Sequence, residues 1–125
     1  MKEPDVVRIL LVDDSSDILE TMCELLESEG ALVSTADSGA TGIELAEEKP
    51  FDVIVSDIGM PDIDGHKMMT AVRGGTLNAD TPSIALTGYG TLRDVEKAKA
   101  AGFTLHLRKP IDLQALIDAV RQAVN

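Results

Sequence analysis

Four apolar runs in this chain each end in side chains that can do polar chemistry. RILLVDD ends in Asp13 and Asp14, DVIVSD in Asp57, SIALT in Thr87, and TLHLRKP in Lys109 and Pro110. If the runs are parallel strands of one sheet, three carboxylates, a hydroxyl and an ammonium meet at one edge. Such a set suits a hard cation and phosphoryl chemistry. Carboxylates at close range raise one another's pKa, and a divalent cation removes that strain. All-oxygen ligands with retained water suit Mg²⁺ or Mn²⁺. The Asp57 carboxylate can attack phosphorus to give an acyl phosphate. Lys109 and the metal would then neutralise charge on the transferring oxygens. Thr87 can donate its hydroxyl to a phosphoryl oxygen.

Short apolar runs alternate with helical patterns, which predicts repeated βα units and a parallel sheet. Residues 6–13 read as strand one, apolar enough to be buried on both faces. Helix one follows, capped by Asp14 or Ser15, with a stripe of Ile18, Met22, Leu25 and Leu26 and an end at Gly30. Strands two to five read as residues 31–36, 52–57, 83–87 and 103–107. Helix two spans about 39–48, and helix three starts near Asp64 and Gly65 with Met68, Met69 and Val72. Thr91 caps helix four, with Asp94 three residues on. Helix five starts at Asp112 and turns Leu113, Leu116, Ile117, Val120 and Val124 to one face. Residues 74–81 read as a polar loop. Ligands of such sheets bind beyond the carboxyl ends of the strands, where the winding reverses.

The 125 residues suffice for one domain with its own core, and we read residues 1–125 as that domain. Net charge is −11, a surface that repels phosphate backbones and anionic lipid, so direct nucleic-acid binding is not expected. Cys23 is the only cysteine, which excludes an internal disulfide and suits a buried, inert thiol in a reducing compartment. No run approaches membrane-spanning length and the N-terminus lacks an apolar signal core, so the expected location is cytoplasmic.

Other motifs carry less. Met60-Pro-Asp-Ile-Asp-Gly65 contains DxDG, but Arg73 stands where a calcium loop needs its closing Glu, so turn chemistry accounts for it. Two His and one Cys, widely spaced, are too few for zinc. Gly88-Tyr-Gly90 lacks the spacing and the Lys of a phosphate loop. His66 reads as an exposed residue at the start of helix three. Pro110 can stop strand five and open helix five, or form a cis bond that aims Lys109 into the site.

Taken together, ILLVDD, DVIVSDIGMPDIDG, IALTGYG and LRKP resemble the receiver domain of bacterial two-component response regulators, over residues 6–124. The resemblance implies a flavodoxin-like (βα)5 doubly wound α/β fold with parallel strand order 2-1-3-4-5. It implies that Asp57 accepts a phosphoryl group from a phosphohistidine of a sensor kinase or phosphotransfer protein. Mg²⁺ would be held by Asp13, Asp14, Asp57 and the main-chain carbonyl of Gly59. Lys109, Thr87 and Gly88 would surround the phosphoryl group. Thr87 would move toward it and drag the loop before helix four, re-forming the face of helix four, strand five and helix five for a partner or a phosphorylation-dependent dimer. His106 stands where the family usually has Tyr or Phe, whose ring turns inward behind the moving Thr. An imidazole there would make the switch pH-sensitive between about pH 6 and 7. Gly59 stands where many members carry a polar side chain, and with Gly88 it leaves the site open to water, a phosphatase or a phosphodonor.

Two other functions compete. A haloacid-dehalogenase-type hydrolase also pairs a nucleophilic Asp with Lys and Mg²⁺, but resembles its own family in a second Asp two residues on, where this chain has Gly59. A receiver acting only as an unphosphorylated docking module is the other. The expectation is a signalling receiver that catalyses only its own phosphorylation and dephosphorylation. It would be free-standing or part of a hybrid histidine kinase.

Overall fold

A computed structural model describes residues 6–88 and 92–124. Five strands and five helices alternate: β1 (Arg8–Val12), α1 (Ser16–Ser28), β2 (Leu32–Ala36), α2 (Gly39–Glu48), β3 (Val53–Asp57), α3 (Gly65–Arg73), β4 (Ser83–Thr87), α4 (Leu92–Ala101), β5 (Leu105–Arg108) and α5 (Leu113–Val124). All strand pairs are parallel, in the order β2-β1-β3-β4-β5. The winding therefore reverses at β1, and a crevice opens between the ends of β1 and β3.

Two-residue alternation divides the central strands between two cores. Leu10, Val12, Ile54 and Ala85 face Met68, Met69 and Val72 of α3, Ala46 of α2 and Ala98 of α4. Ile9, Leu11, Val53, Val55, Ile84 and Leu86 face Leu19, Met22 and Leu26 of α1, and Leu116 and Val120 of α5. Burial on both faces explains why β1, β3 and β4 read as unbroken apolar runs.

Local chemistry sets the ends. The Ser15 hydroxyl accepts from Ile18 N at the start of α1, so Ser15 is the cap and Asp14 is left exposed. Ser38 caps α2, and Asp64 caps α3 through Lys67 N. Asp112 accepts from Gln114 N and Ala115 N, so it caps α5 just outside the helix. The other aspartate of the loop before α3 reaches across to α2. Asp62 accepts from Gly39 N and Ala40 N at 3.2 and 3.1 Å, and the Ile63 amide, with those of Ala40 and Gly39, holds its carboxyl below the ordinary range. The DxDG stretch is thus two helix caps, in line with turn chemistry.

Three expectations need correction. Ile18 is 40 % exposed, and Leu19 takes its place in the buried stripe with Met22 and Leu26. Strand five begins at Leu105 rather than residue 103 and runs on to Arg108. Phe103 ahead of it is buried in the core beneath α3 and α4. The loop at 74–81 is organised by a buried residue. Asn78, 1 % exposed, accepts from Phe51 N and the Thr81 hydroxyl and donates to the carbonyls of Ala46 and Lys49. Arg73 closes the same region, donating to the carbonyls of Asn78 and Gly102 and to the Ser83 hydroxyl. The expected Thr91 cap lies outside the described residues.

Candidate phosphoryl and metal site

The strand register brings the acids together. Val12 pairs with Ser56, so Asp13, one residue beyond β1, lies beside Asp57 at the end of β3. Asp13, Asp14 and Asp57 each place one carboxylate oxygen within 4.8 Å of the others. Asp13 is fully buried and Asp57 is 5 % exposed, while Asp14 faces solvent. Lys109 Nζ lies 2.9 Å from Asp57 Oδ1 and 3.9 Å from Asp13 Oδ2. The Lys109–Pro110 bond is cis, one of the two geometries open to it.

The electrostatics are strained in one place. Asp13 Oδ1 accepts from Ser15 N at 2.9 Å, but buried Oδ2 has no hydrogen-bond partner. Burial holds the Asp13 carboxyl above its ordinary value of 3.8, and repulsion from Asp57 and Asp14 adds to this. The Ser15 amide and Lys109 act in the opposite direction. A buried carboxylate oxygen without a donor, beside two further carboxylates, fits a hard divalent cation.

A cleft of about 290 Å³ opens over Asp57, lined by Ile58, Gly59, His66, Thr87, Gly88, Asp94 and Lys109. Gly59 and Gly88 are exposed, and a Cβ at either would meet nothing within 4 Å. Thr87 is buried, and its hydroxyl donates to the Leu107 carbonyl at 3.5 Å. Its oxygen is thus turned to β5 rather than bonded to the carboxylates. His106 is exposed on β5, paired in register with Ala85. This exposed place differs from the inward one that the family's usual aromatic ring takes. Cys23 is half-buried rather than buried. Burial pushes its thiol up, and Glu27, Glu24 and Glu20 add to that, so it is a poor nucleophile.

The model of the response regulator receiver domain family matches residues 9–121. The chain belongs to that family. It is 37 % identical over 114 residues to an uncharacterized 14.6 kDa protein of Leptolyngbya boryana, covering 91 % of this chain and 87 % of that one. It is 34 % identical over 117 residues to the transcriptional regulatory protein GlrR of Escherichia coli, covering 94 % of this chain and 26 % of GlrR. Among solved structures, Vibrio cholerae chemotaxis protein CheY4 matches with a TM-score of 0.91 and 31 % identity, over 95 % of this chain and 99 % of CheY4. The receiver domain of the Pseudomonas aeruginosa sensor histidine kinase PA1611, solved with a magnesium ion in its active-site cleft, matches with a TM-score of 0.88 and 27 % identity, over 96 % and 98 % of the two chains. The receiver fold is therefore the flavodoxin-like one with strand order 2-1-3-4-5.

One residue of the receiver's cleft escaped the sequence reading. His66 is half-buried in the cleft wall, not an exposed start to α3. Its neighbour explains why. Gly65 N donates to the Ile58 carbonyl at 2.8 Å, and a Cβ on Gly65 would come within 2.5 Å of the Asp57 carbonyl oxygen. The first turn of α3 is pressed onto the end of β3, and this carries His66 to the cleft.

Proposed function

We propose that Asp57 is a phosphoacceptor and that the chain is a single receiver domain of a two-component phosphorelay. The observation that carries this reading is the Lys109–Asp57 contact at 2.9 Å, made at a buried edge where Asp13 and Asp14 converge. A donor phosphohistidine enters the cleft past Gly59 and Gly88. Its P–N bond breaks with the electron pair returning to the imidazole, and an Asp57 carboxylate oxygen bonds to phosphorus. Lys109 holds the phosphoryl oxygens. Asp13, Asp14, Asp57 and the Gly59 carbonyl hold Mg²⁺, which when bound neutralises the carboxylates and the charge on the transferring group.

Thr87 reads the result. Its long bond to the Leu107 carbonyl is exchanged for one to a phosphoryl oxygen. The responding face is α4, the edge strand β5 and α5, where Leu92 is 75 % exposed and His106 and Arg108 face solvent. The partners are a sensor kinase or phosphotransfer protein upstream and a protein downstream, which includes a second receiver. No helix among the described residues is long and apolar enough to cross a membrane. We place the domain in the cytoplasm, either free-standing or within a hybrid kinase.

Intact mass after incubation with acetyl phosphate and Mg²⁺ tests the reading. One added phosphoryl group is expected, lost with EDTA and in Asp57→Ala. Uptake by Asp57→Ala would refute Asp57 as acceptor. No uptake by a chain that still binds Mg²⁺ would favour a docking module.

A further inference from the structure

We propose that His66 positions the water that hydrolyses the phosphoryl group on Asp57, a role that rests on the acceptor reading above. Among the described residues, the cleft over Asp57 has few polar walls. Thr87 and Lys109 are committed to the phosphoryl group, and Ile58, Gly59 and Gly88 offer no polar side chain. Asp94 brings a carboxylate, whose charge opposes an approaching phosphate. His66 remains, and its ring makes no hydrogen bond or ion pair with the described residues.

Its backbone is fixed relative to the acceptor. Gly65, the residue before it, packs on the Asp57 carbonyl, and the His66 carbonyl accepts from the Thr70 hydroxyl at 2.9 Å within α3. Gly59 and Gly88 line the same cleft, and a Cβ at either would meet nothing within 4 Å, which leaves room for water.

The step balances without a further reactant. A ring nitrogen of His66 accepts a hydrogen bond from water and aims its oxygen at phosphorus. The new P–O bond forms as the bond to Asp57 breaks, its electron pair returning to the carboxylate. Both water hydrogens leave on dihydrogen phosphate. The imidazole keeps its own protonation state, so it acts by orientation.

The test loads the protein with acetyl phosphate and Mg²⁺, removes the donor and follows decay by intact mass. His66→Leu should slow decay about three- to tenfold, the worth of one hydrogen bond. His66→Gln, which can still accept from water, should stay within about twofold of wild type. Wild-type decay in His66→Leu, or Gln as slow as Leu, overturns the role. So does a parallel loss of uptake and decay with a lowered Tm, which marks a packing role. A wild-type chain that takes up no phosphoryl group overturns the acceptor reading, and this one with it.

Discussion

Asp13→Asn should stabilise the metal-free protein while abolishing its response to Mg²⁺. At an effective dielectric of about 20, a carboxylate within 4.8 Å repels Asp13 by about 3 kcal/mol, and Lys109 at 3.9 Å attracts it by about 4 kcal/mol. The repulsion from Asp57 and the attraction of Lys109 nearly cancel, exposed Asp14 adds a smaller, screened repulsion, and burial of the charge supplies most of the cost. Asparagine keeps an oxygen for Ser15 N and removes the charge. We expect a gain of about 1–3 kcal/mol at pH 7.5 with EDTA, read as a urea midpoint higher by about 1 M at unchanged slope. Because the folded carboxyl holds its proton above 3.8, the contribution of Asp13 to wild-type stability falls as pH rises from 3.8 through that raised value. The variant lacks this decline, so its advantage should shrink as pH falls toward 3.8 and level off above the raised value. Mg²⁺ at a hundredfold excess over its Kd should return about 2.7 kcal/mol to wild type and nothing to the variant. A variant no more stable than wild type in EDTA at pH 7.5 would refute the electrostatic argument.

Gly65→Ala should cost about 1–3 kcal/mol, because its Cβ would meet backbone atoms of Asp57 and Ile58 that cannot yield cheaply. It should also slow phosphoryl uptake, by shifting Asp57 itself. An alanine variant with wild-type melting and uptake would show that α3 is not seated on β3 as described. Asn78→Ala leaves Phe51 N and the Ala46 and Lys49 carbonyls without their partner, at about 1–3 kcal/mol for each group that stays dry. We expect a loss of about 3 kcal/mol in urea melts with Mg²⁺ affinity unchanged. A loss below about 0.5 kcal/mol would mean that water replaces the amide at little cost.

The fold was legible because a parallel sheet covered on both faces writes itself as apolar runs, and serine and aspartate mark where helices begin. It blurred where two readings satisfy the same periodicity. In α1, Ile18 and Leu19 both lie three or four residues from Met22, and only packing against the sheet and α5 selects Leu19. Phe103 looked like a strand residue because it is aromatic. It fills the core beneath α3 and α4 instead, while Thr104 bonds to Ser83 and the β5 ladder starts at Leu105.

The site was legible in its floor and illegible in its walls, for one physical reason. Asp13, Asp57, Thr87 and Lys109 gain their positions from the ends of strands, and strand ends can be counted along the chain. His66, Asp62 and Asn78 gain theirs from contacts between elements. The glycine of Asp64-Gly65 reads locally as a turn residue. Its actual constraint is the carbonyl of Asp57, 2.5 Å from where its Cβ would stand. That contact makes the start of α3 a wall of the cleft and brings a helix's second residue into its lining. The floor residues carry the proposed phosphoryl transfer, and family motifs capture them. The wall residues, to which we assign its hydrolysis, are reached only by asking what each helix is pressed against.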